Sequence, residues 1–74
     1  MKNRRKEVMV AIVRLADGVA THSEYVEMND IIDRYRRDFP VDAVSSIIDI
    51  YEKAVENYDM KTLEMIDSYA RLWL

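Results

Sequence analysis

Several kinds of residue are scarce in this 74-residue chain, and each scarcity excludes a class of structure. The absence of Cys excludes disulfides, thiolate zinc sites and cysteine nucleophiles, and it fits a reducing compartment. One Gly and one Pro are too few for the turns of a many-stranded sheet. A chain of this length forms one small domain with no room for a large internal active site. We therefore expect a single all-α domain, 1–74.

Long apolar runs are also missing. The run Val8 to Val13 has only six residues, whereas a membrane span needs about 18. Basic residues precede this run, as in a signal peptide, but Arg14 and Asp17 interrupt it where a longer apolar region and a cleavage site would follow. The sequence predicts a soluble, cytoplasmic protein without a membrane contact.

Charge is distributed unevenly along the chain, which has a net charge of -3. Residues 1–16 carry five positive charges and one negative charge, and residues 17–33 carry five negative charges and no positive charge. A second basic segment, 34–40, has three arginines and one aspartate, and residues 41–74 have three positive and seven negative charges. The chain is therefore acidic with two basic segments, and it lacks the overall basic character that is typical of nucleic-acid binding.

Helix stop and start signals define the first two predicted helices. Gly18 is suited to the left-handed position that follows a helix. Thr21 and Glu24 have the spacing of a capping box, and Pro40 moves the preceding residue out of the helical region. The run Val8 to Val13 is also compatible with a short buried strand, but its flanking Arg, Lys, Glu, Leu and Ala residues favour a helix.

The second half of the chain contains the cleanest helical periodicity. Asp42 is the candidate cap of a third helix and Asp59 that of a fourth. No glycine separates these two helices, so a hairpin and one bent helix are both compatible with the sequence, and we favour the hairpin. The predicted helices cover about 3–16, 22–38, 42–57 and 60–72.

The first and fourth helices carry apolar residues on almost all of their faces, whereas the second and third have one apolar stripe each. The fourth helix has two stripes, Leu63, Ile66, Ala70 and Trp73 in one and Met65, Tyr69 and Leu72 in the other. A helix that is apolar all round is buried or faces a partner. We therefore predict a bundle of three to four helices that is completed by homodimerisation. The candidate interaction residues are Val8, Ile12, Met65, Tyr69, Leu72 and Trp73.

Residues able to carry chemistry are few. His22 is the only histidine, and its neighbours Ser23 and Glu24 cannot converge with it as a triad, because successive side chains at a helix start point in different directions. Carboxylates recur every third residue from position 24 to position 33, but no Glu-x-x-His motif accompanies them, so we interpret them as a solvated face. We expect no enzyme activity, no cofactor and no metal.

The basic segments support an alternative function, that of a nucleic-acid-binding regulator. The candidate phosphate contacts are Lys2, Arg4, Arg5, Lys6, Arg34, Arg36 and Arg37. The acidic segments would repel a duplex unless the fold separated them from these residues. Nucleic acid is therefore the second choice of partner.

Residues 11–32 resemble the start of the tellurite-resistance TerB-like domains. In that family an apolar helix ends in Ala-Asp-Gly and the next helix begins with an acidic residue. Ala16, Asp17, Gly18 and Glu24 stand in the matching places here. The resemblance implies an all-helical fold and, as a further alternative, a carboxylate metal-binding module with Asp17 and Glu24 in its site.

The preferred interpretation is a non-enzymatic helical protein that acts as a protein-protein interaction or regulatory module. It follows from apolar surface in excess of one small core and from the lack of a catalytic set. Its protein partner is not identifiable from the sequence. Small acidic helical proteins of this kind are frequent among bacterial and phage accessory regulators, which is an argument by association only.

Overall fold

Four α-helices account for most of residues 3–74, the part of the chain that the computed structural model describes. They are α1 (Arg4–Asp17), α2 (His22–Asp38), α3 (Ala43–Glu56) and α4 (Met60–Arg71). No strand occurs within this range, which confirms the all-α class. Each helix begins and ends within one residue of its predicted position.

Local capping explains where the first two helices begin and end. Asn3 accepts a hydrogen bond from the Lys6 N–H at the start of α1. Gly18 follows α1 with a φ of 68°, a conformation that glycine adopts without a steric penalty. Thr21 and Glu24 form the predicted capping box at the start of α2. These bonds satisfy backbone groups that lack partners within the helix.

The corner between α2 and α3 is held by short-range hydrogen bonds. The Asp42 carboxylate accepts from the Val44 N–H at 2.8 Å and so caps α3 as predicted. Ser45 is buried, and its hydroxyl donates to the Phe39 carbonyl at 2.5 Å. The backbone polar groups at this corner therefore have protein partners, which fixes the direction in which α3 leaves α2.

A tight turn separates α3 from α4, as the hairpin prediction requires. The Asp59 N–H donates to the Ala54 carbonyl and the Tyr58 N–H donates to the Val55 carbonyl, the pair of bonds that defines a Schellman motif. Asp59 then caps α4 by accepting from the Thr62 N–H at 3.1 Å. Tyr58 takes the left-handed position of the motif with a φ of 54°.

Helix α1 is the centre of the core. It packs against α2 on one side and α4 on the other, while α3 packs mainly against α4. This position explains why α1 is apolar almost all round, because its faces are covered within one chain. Val8 and Ile12, predicted as interaction residues, are only 1% and 0% exposed. Their assignment to a binding surface is wrong, since neither presents a side chain to a partner in this fold.

The other helices complete this core from three sides. The radius of gyration is 11.4 Å, close to the value of about 11 Å expected for a compact chain of this length. The buried core residues beyond α1 are Ile32, Tyr35, Val44, Ile48, Tyr51, Ile66 and Ala70. One chain therefore closes a core of its own, and a second chain is not needed to cover it.

Two of the helix caps make the stability of the protein sensitive to acid. Hydrogen bonds lower the pKa of both carboxyls below 3.8, mainly from the Val44 N–H to Asp42 and from the Thr62 hydroxyl and N–H to Asp59. The unfolded chain therefore binds more protons in acid than the folded chain does. The stabilisation is present above the ordinary pKa and is lost as the pH falls through the lowered pKa.

We expect the melting temperature to fall progressively as the pH is lowered below about 5. Asp59→Asn keeps a side-chain oxygen for the cap but cannot titrate, so its melting temperature should fall less steeply in acid than that of the wild type. Asp59→Ala removes the cap at every pH and should lower the melting temperature at neutral pH as well. Thermal melts followed by circular dichroism measure all three proteins. If the melting temperature of Asp59→Asn fell as steeply with decreasing pH as that of the wild type, the Asp59 carboxylate would not be a source of the acid sensitivity.

Candidate interaction surface

Helix α4 presents two different apolar faces, and only one of them belongs to the core. Ile66 and Ala70 are buried, and Leu63 and Trp73 pack against the core from the same side. Trp73, predicted as an interaction residue, is half-buried here and anchors the C-terminal end on the body of the protein. The first predicted stripe of this helix is therefore accounted for by the core.

The second stripe remains in solvent. Met65, Tyr69 and Leu72 are 67%, 44% and 82% exposed. Thr62 precedes them, so that Thr62, Met65, Tyr69 and Leu72 follow one another at spacings of three, four and three residues. Residues at these spacings share one face of a helix. We call these four residues the α4 seam.

An apolar groove of about 250 Å³ runs beside the α4 seam, between α3 and α4. Its walls are almost entirely carbon, and Ile50 on the α3 side is about half exposed. The residues that line the groove are Ile47, Ile50, Thr62, Met65, Ile66 and Tyr69. Because scattered single apolar residues are normal on a protein surface but a contiguous rimmed patch is not, this face is a candidate interaction surface.

Tyr58 lies at the loop end of the same hairpin and carries backbone strain. Its side chain is 86% exposed, although its φ of 54° places it in the left-handed region. A side chain with a Cβ atom pays about 1 kcal/mol there relative to glycine. The folded core gains little from a ring that is almost fully in water, so folding alone does not account for a tyrosine at this position.

Tyr58→Gly is expected to stabilise the folded chain by about 0.5–1 kcal/mol, because glycine adopts the left-handed conformation without the Cβ clash. Urea unfolding curves of the two proteins at equal concentration measure the difference. Tyr58→Ala is the matched control, since it removes the ring but keeps the Cβ atom and should not gain this stability. A loss of stability in Tyr58→Gly would show that the ring makes a contact the exposed side chain does not suggest.

Arg4 and Arg5, at the start of α1, are engaged within the fold. Arg4 lies 2.9 Å from the Asp38 carboxylate, and its guanidinium stands over the ring of Phe39 at 5.0 Å. Arg5 lies 3.0 Å from Asp42. These contacts attach the start of α1 to the corner between α2 and α3. Two of the four basic residues that the sequence assigned to a phosphate-binding arm are therefore paired with carboxylates of the same chain.

Two of the three arginines of the second basic segment are engaged in the same way. Arg34 pairs with Asp30 one turn earlier at 2.9 Å. Arg36 crosses to α3, where it lies 2.5 Å from Asp49 and 2.9 Å from Glu52. Lys6 and Arg37 are the nucleic-acid candidates without an ion pair in the described range, and Lys2 lies outside the described residues. The fold does not bring the predicted phosphate contacts together as one uncompensated basic face.

A charged cleft of about 540 Å³ lies between α2 and α3. The charged residues that line it are Asp30, Asp33, Arg36, Arg37 and Asp49. Arg36 is already bound by two carboxylates of α3, and Asp30 is bound by Arg34. Several charged groups of this cleft are therefore already paired with one another or with neighbouring residues. The exposed apolar side chains of the α4 seam, in contrast, are not covered by other apolar side chains.

The acidic positions of the TerB-like resemblance also have partners. Asp17 accepts from Arg71 at 2.7 Å, and Glu24 accepts from Arg14 as well as closing the α2 capping box. His22 is exposed as the first residue of α2. Over residues 3–74, no three His, Cys, Asp or Glu side chains are arranged to hold a metal ion.

None of the helices in the described part of the chain combines the length and the apolar character that crossing a membrane requires. Comparison of the sequence and the fold with protein-family models, with curated proteins and with solved structures gives no match. The resemblance to TerB-like domains therefore stays a prediction. The α3–α4 face is a contiguous apolar surface that the closing of the core does not explain.

Proposed function

We propose that this chain is a non-enzymatic protein-interaction module that works as a homodimer and binds through the exposed face of the α3–α4 hairpin. The observation that carries the proposal is the α4 seam, whose large side chains stay in helical register and in solvent after the core has closed. Contact with another protein is the simplest way to remove such a face from water.

The size of this face fits a specific but reversible contact. Covering Ile50 and the α4 seam on both partners removes on the order of 1,000 Å² from solvent, which is near the lower limit for a specific interface. Such an interface gives dissociation constants in the micromolar range when it lacks strong anchor residues. The proposed dimer therefore forms and dissociates with concentration, as a regulatory module requires.

The chemistry of the face favours a protein partner over a small molecule or a nucleic acid. The groove is open and apolar, and it has none of the convergent polar groups that orient a small ligand. Methionine and tyrosine are adaptable side chains that are enriched at protein interfaces. Four of the five arginines that would serve a nucleic acid are bound to carboxylates elsewhere on the molecule, namely Arg4, Arg5, Arg34 and Arg36. In this role the chain would regulate another protein by binding to it, without catalysing a reaction.

Light scattering coupled to size exclusion tests the proposal. We expect a mass approaching twice the chain mass of 8.8 kDa at about 100 µM, falling towards the monomer mass on dilution below about 1 µM. Sedimentation equilibrium at three loading concentrations gives the dissociation constant. A mass that stays at that of one chain throughout this range would overturn the homodimer.

A further inference from the structure

We infer that the two α4 helices of the dimer pack antiparallel, about a two-fold axis that passes between Met65 and Tyr69. In this arrangement Met65 contacts Tyr69 of the partner subunit, and Thr62 contacts Leu72 of the partner subunit. The inference rests on the proposed homodimer and specifies its geometry.

The spacing of the α4 seam is the first reason. A two-fold interface uses the same surface on both subunits, so that surface has to be complementary to itself. Spacings of three, four and three residues read the same in both directions along the helix. An antiparallel copy therefore presents its side chains at matching heights, as knobs-into-holes packing requires, and the choice over a parallel copy is made by side-chain size and charge.

Side-chain size is the second reason. Antiparallel pairing places the small Thr62 opposite the large Leu72 of the partner subunit at each end of the contact. At its centre, the flexible Met65 side chain meets the ring of the partner's Tyr69, a favourable contact of sulfur with an aromatic edge. Parallel pairing would instead set Leu72 against its own copy at one end and leave two threonines at the other. The parallel interface would therefore be crowded at the leucine end and loosely packed at the threonine end.

Charge at the start of α4 is the third reason. Asp59 and Lys61 are both exposed, and neither has an ion pair within residues 3–74. A parallel pair would bring each of them beside its own copy, which adds repulsion between like charges. An antiparallel pair separates each of them from its own copy, so neither like-charge contact forms. The helix dipoles then also oppose one another favourably.

Cysteine cross-linking tests this geometry cleanly, because the chain contains no cysteine of its own. Thr62 and Leu72 are ten residues apart, or about 15 Å along the helix, whereas a disulfide needs Cα atoms within about 7 Å. On mild oxidation, a mixture of Thr62→Cys and Leu72→Cys is expected to give the mixed disulfide as its main product. Each variant alone should stay largely uncross-linked, and intact mass spectrometry distinguishes the three products.

The other outcomes are equally informative. Efficient cross-linking of Thr62→Cys alone and of Leu72→Cys alone would indicate parallel helices and overturn the inference. A wild type that is dimeric by light scattering, with no cross-link from the mixture, would place the interface on another face and overturn it as well. A wild type that is monomeric throughout would instead overturn the proposed homodimer.

A second pair guards against a folding defect, because the Thr62 hydroxyl donates to the Asp59 cap at 2.6 Å. Met65→Cys and Tyr69→Cys leave that cap intact, and their mixture is expected to cross-link faster than either variant alone. Val26→Cys, at an exposed position of α2 away from the groove, is the control that should not cross-link. Equal rates for the mixture and for Met65→Cys alone would contradict the proposed position of the axis.

Discussion

Replacing Ile12 by alanine should destabilise the protein by about 3 kcal/mol. Ile12 is fully buried on α1, the helix that lies between α2 and α4. Removing three carbon atoms there loses their burial and leaves a cavity lined by two other helices. A domain of this size has a total stability of only about 4–11 kcal/mol, so this one substitution would remove between roughly a quarter and three quarters of the free energy of unfolding.

Urea unfolding followed by circular dichroism measures this loss. Val10→Ala is the matched control, since Val10 lies on the same helix but is 37% exposed, and its cost should stay below about 1 kcal/mol. Both variants are compared with the wild type at one protein concentration, because dimer formation adds stability that depends on concentration. Equal losses for the two variants would contradict the central position of Ile12.

Met65→Glu should weaken the proposed homodimer by at least about 100-fold in its dissociation constant, or about 2.7 kcal/mol. The substitution puts a carboxylate into the centre of an apolar contact, where it has no basic partner and has to lose its hydration. Because Met65 is exposed in the single chain, the variant should keep the helix content of the wild type. Sedimentation equilibrium gives both dissociation constants under the same conditions.

Val26→Glu is the control for Met65→Glu. Val26 is an exposed apolar residue of α2, so this variant makes the same change in charge on a different face and should dimerise as the wild type does. Leu72→Glu, at the end of the α4 seam, should weaken the dimer less than the central substitution does. Equal weakening by Val26→Glu and Met65→Glu would mean that net charge, and not the seam, controls association.

The helix boundaries could be predicted because each is set by neighbours in the chain. Gly18, the Thr21–Glu24 capping box and Pro40 act within one turn of the residues they affect. The turn between α3 and α4 was harder to predict, since Tyr58 occupies a position that glycine usually takes. Its signal in the sequence is the weak interruption Asn57-Tyr58-Asp59, with Asp59 as the cap of the next helix. Because no glycine stands there, a bent helix is an alternative interpretation of the same residues.

The functional surface could be predicted only in part. The apolar patterns of α1 and α4 look alike in the sequence, so Val8 and Ile12 were grouped with Met65 and Leu72 although only the latter two are exposed. No pattern within one helix indicates which neighbour will cover it. The ion pairs of the basic residues could not be predicted for the same reason, since Arg4 pairs with a carboxylate 34 residues away.

The sequence by itself determined the helical class, the ends of the four helices and the excess of apolar residues, because short-range capping and the period of the helix specify these. Only the tertiary structure decided which of those apolar residues lie in the core and which stay in solvent. Placing α1 between two helices buries most of its apolar residues, whereas α4 at the edge of the bundle buries one face and leaves the α4 seam in water. That difference depends on how the helices pack together, a property that no single helix contains.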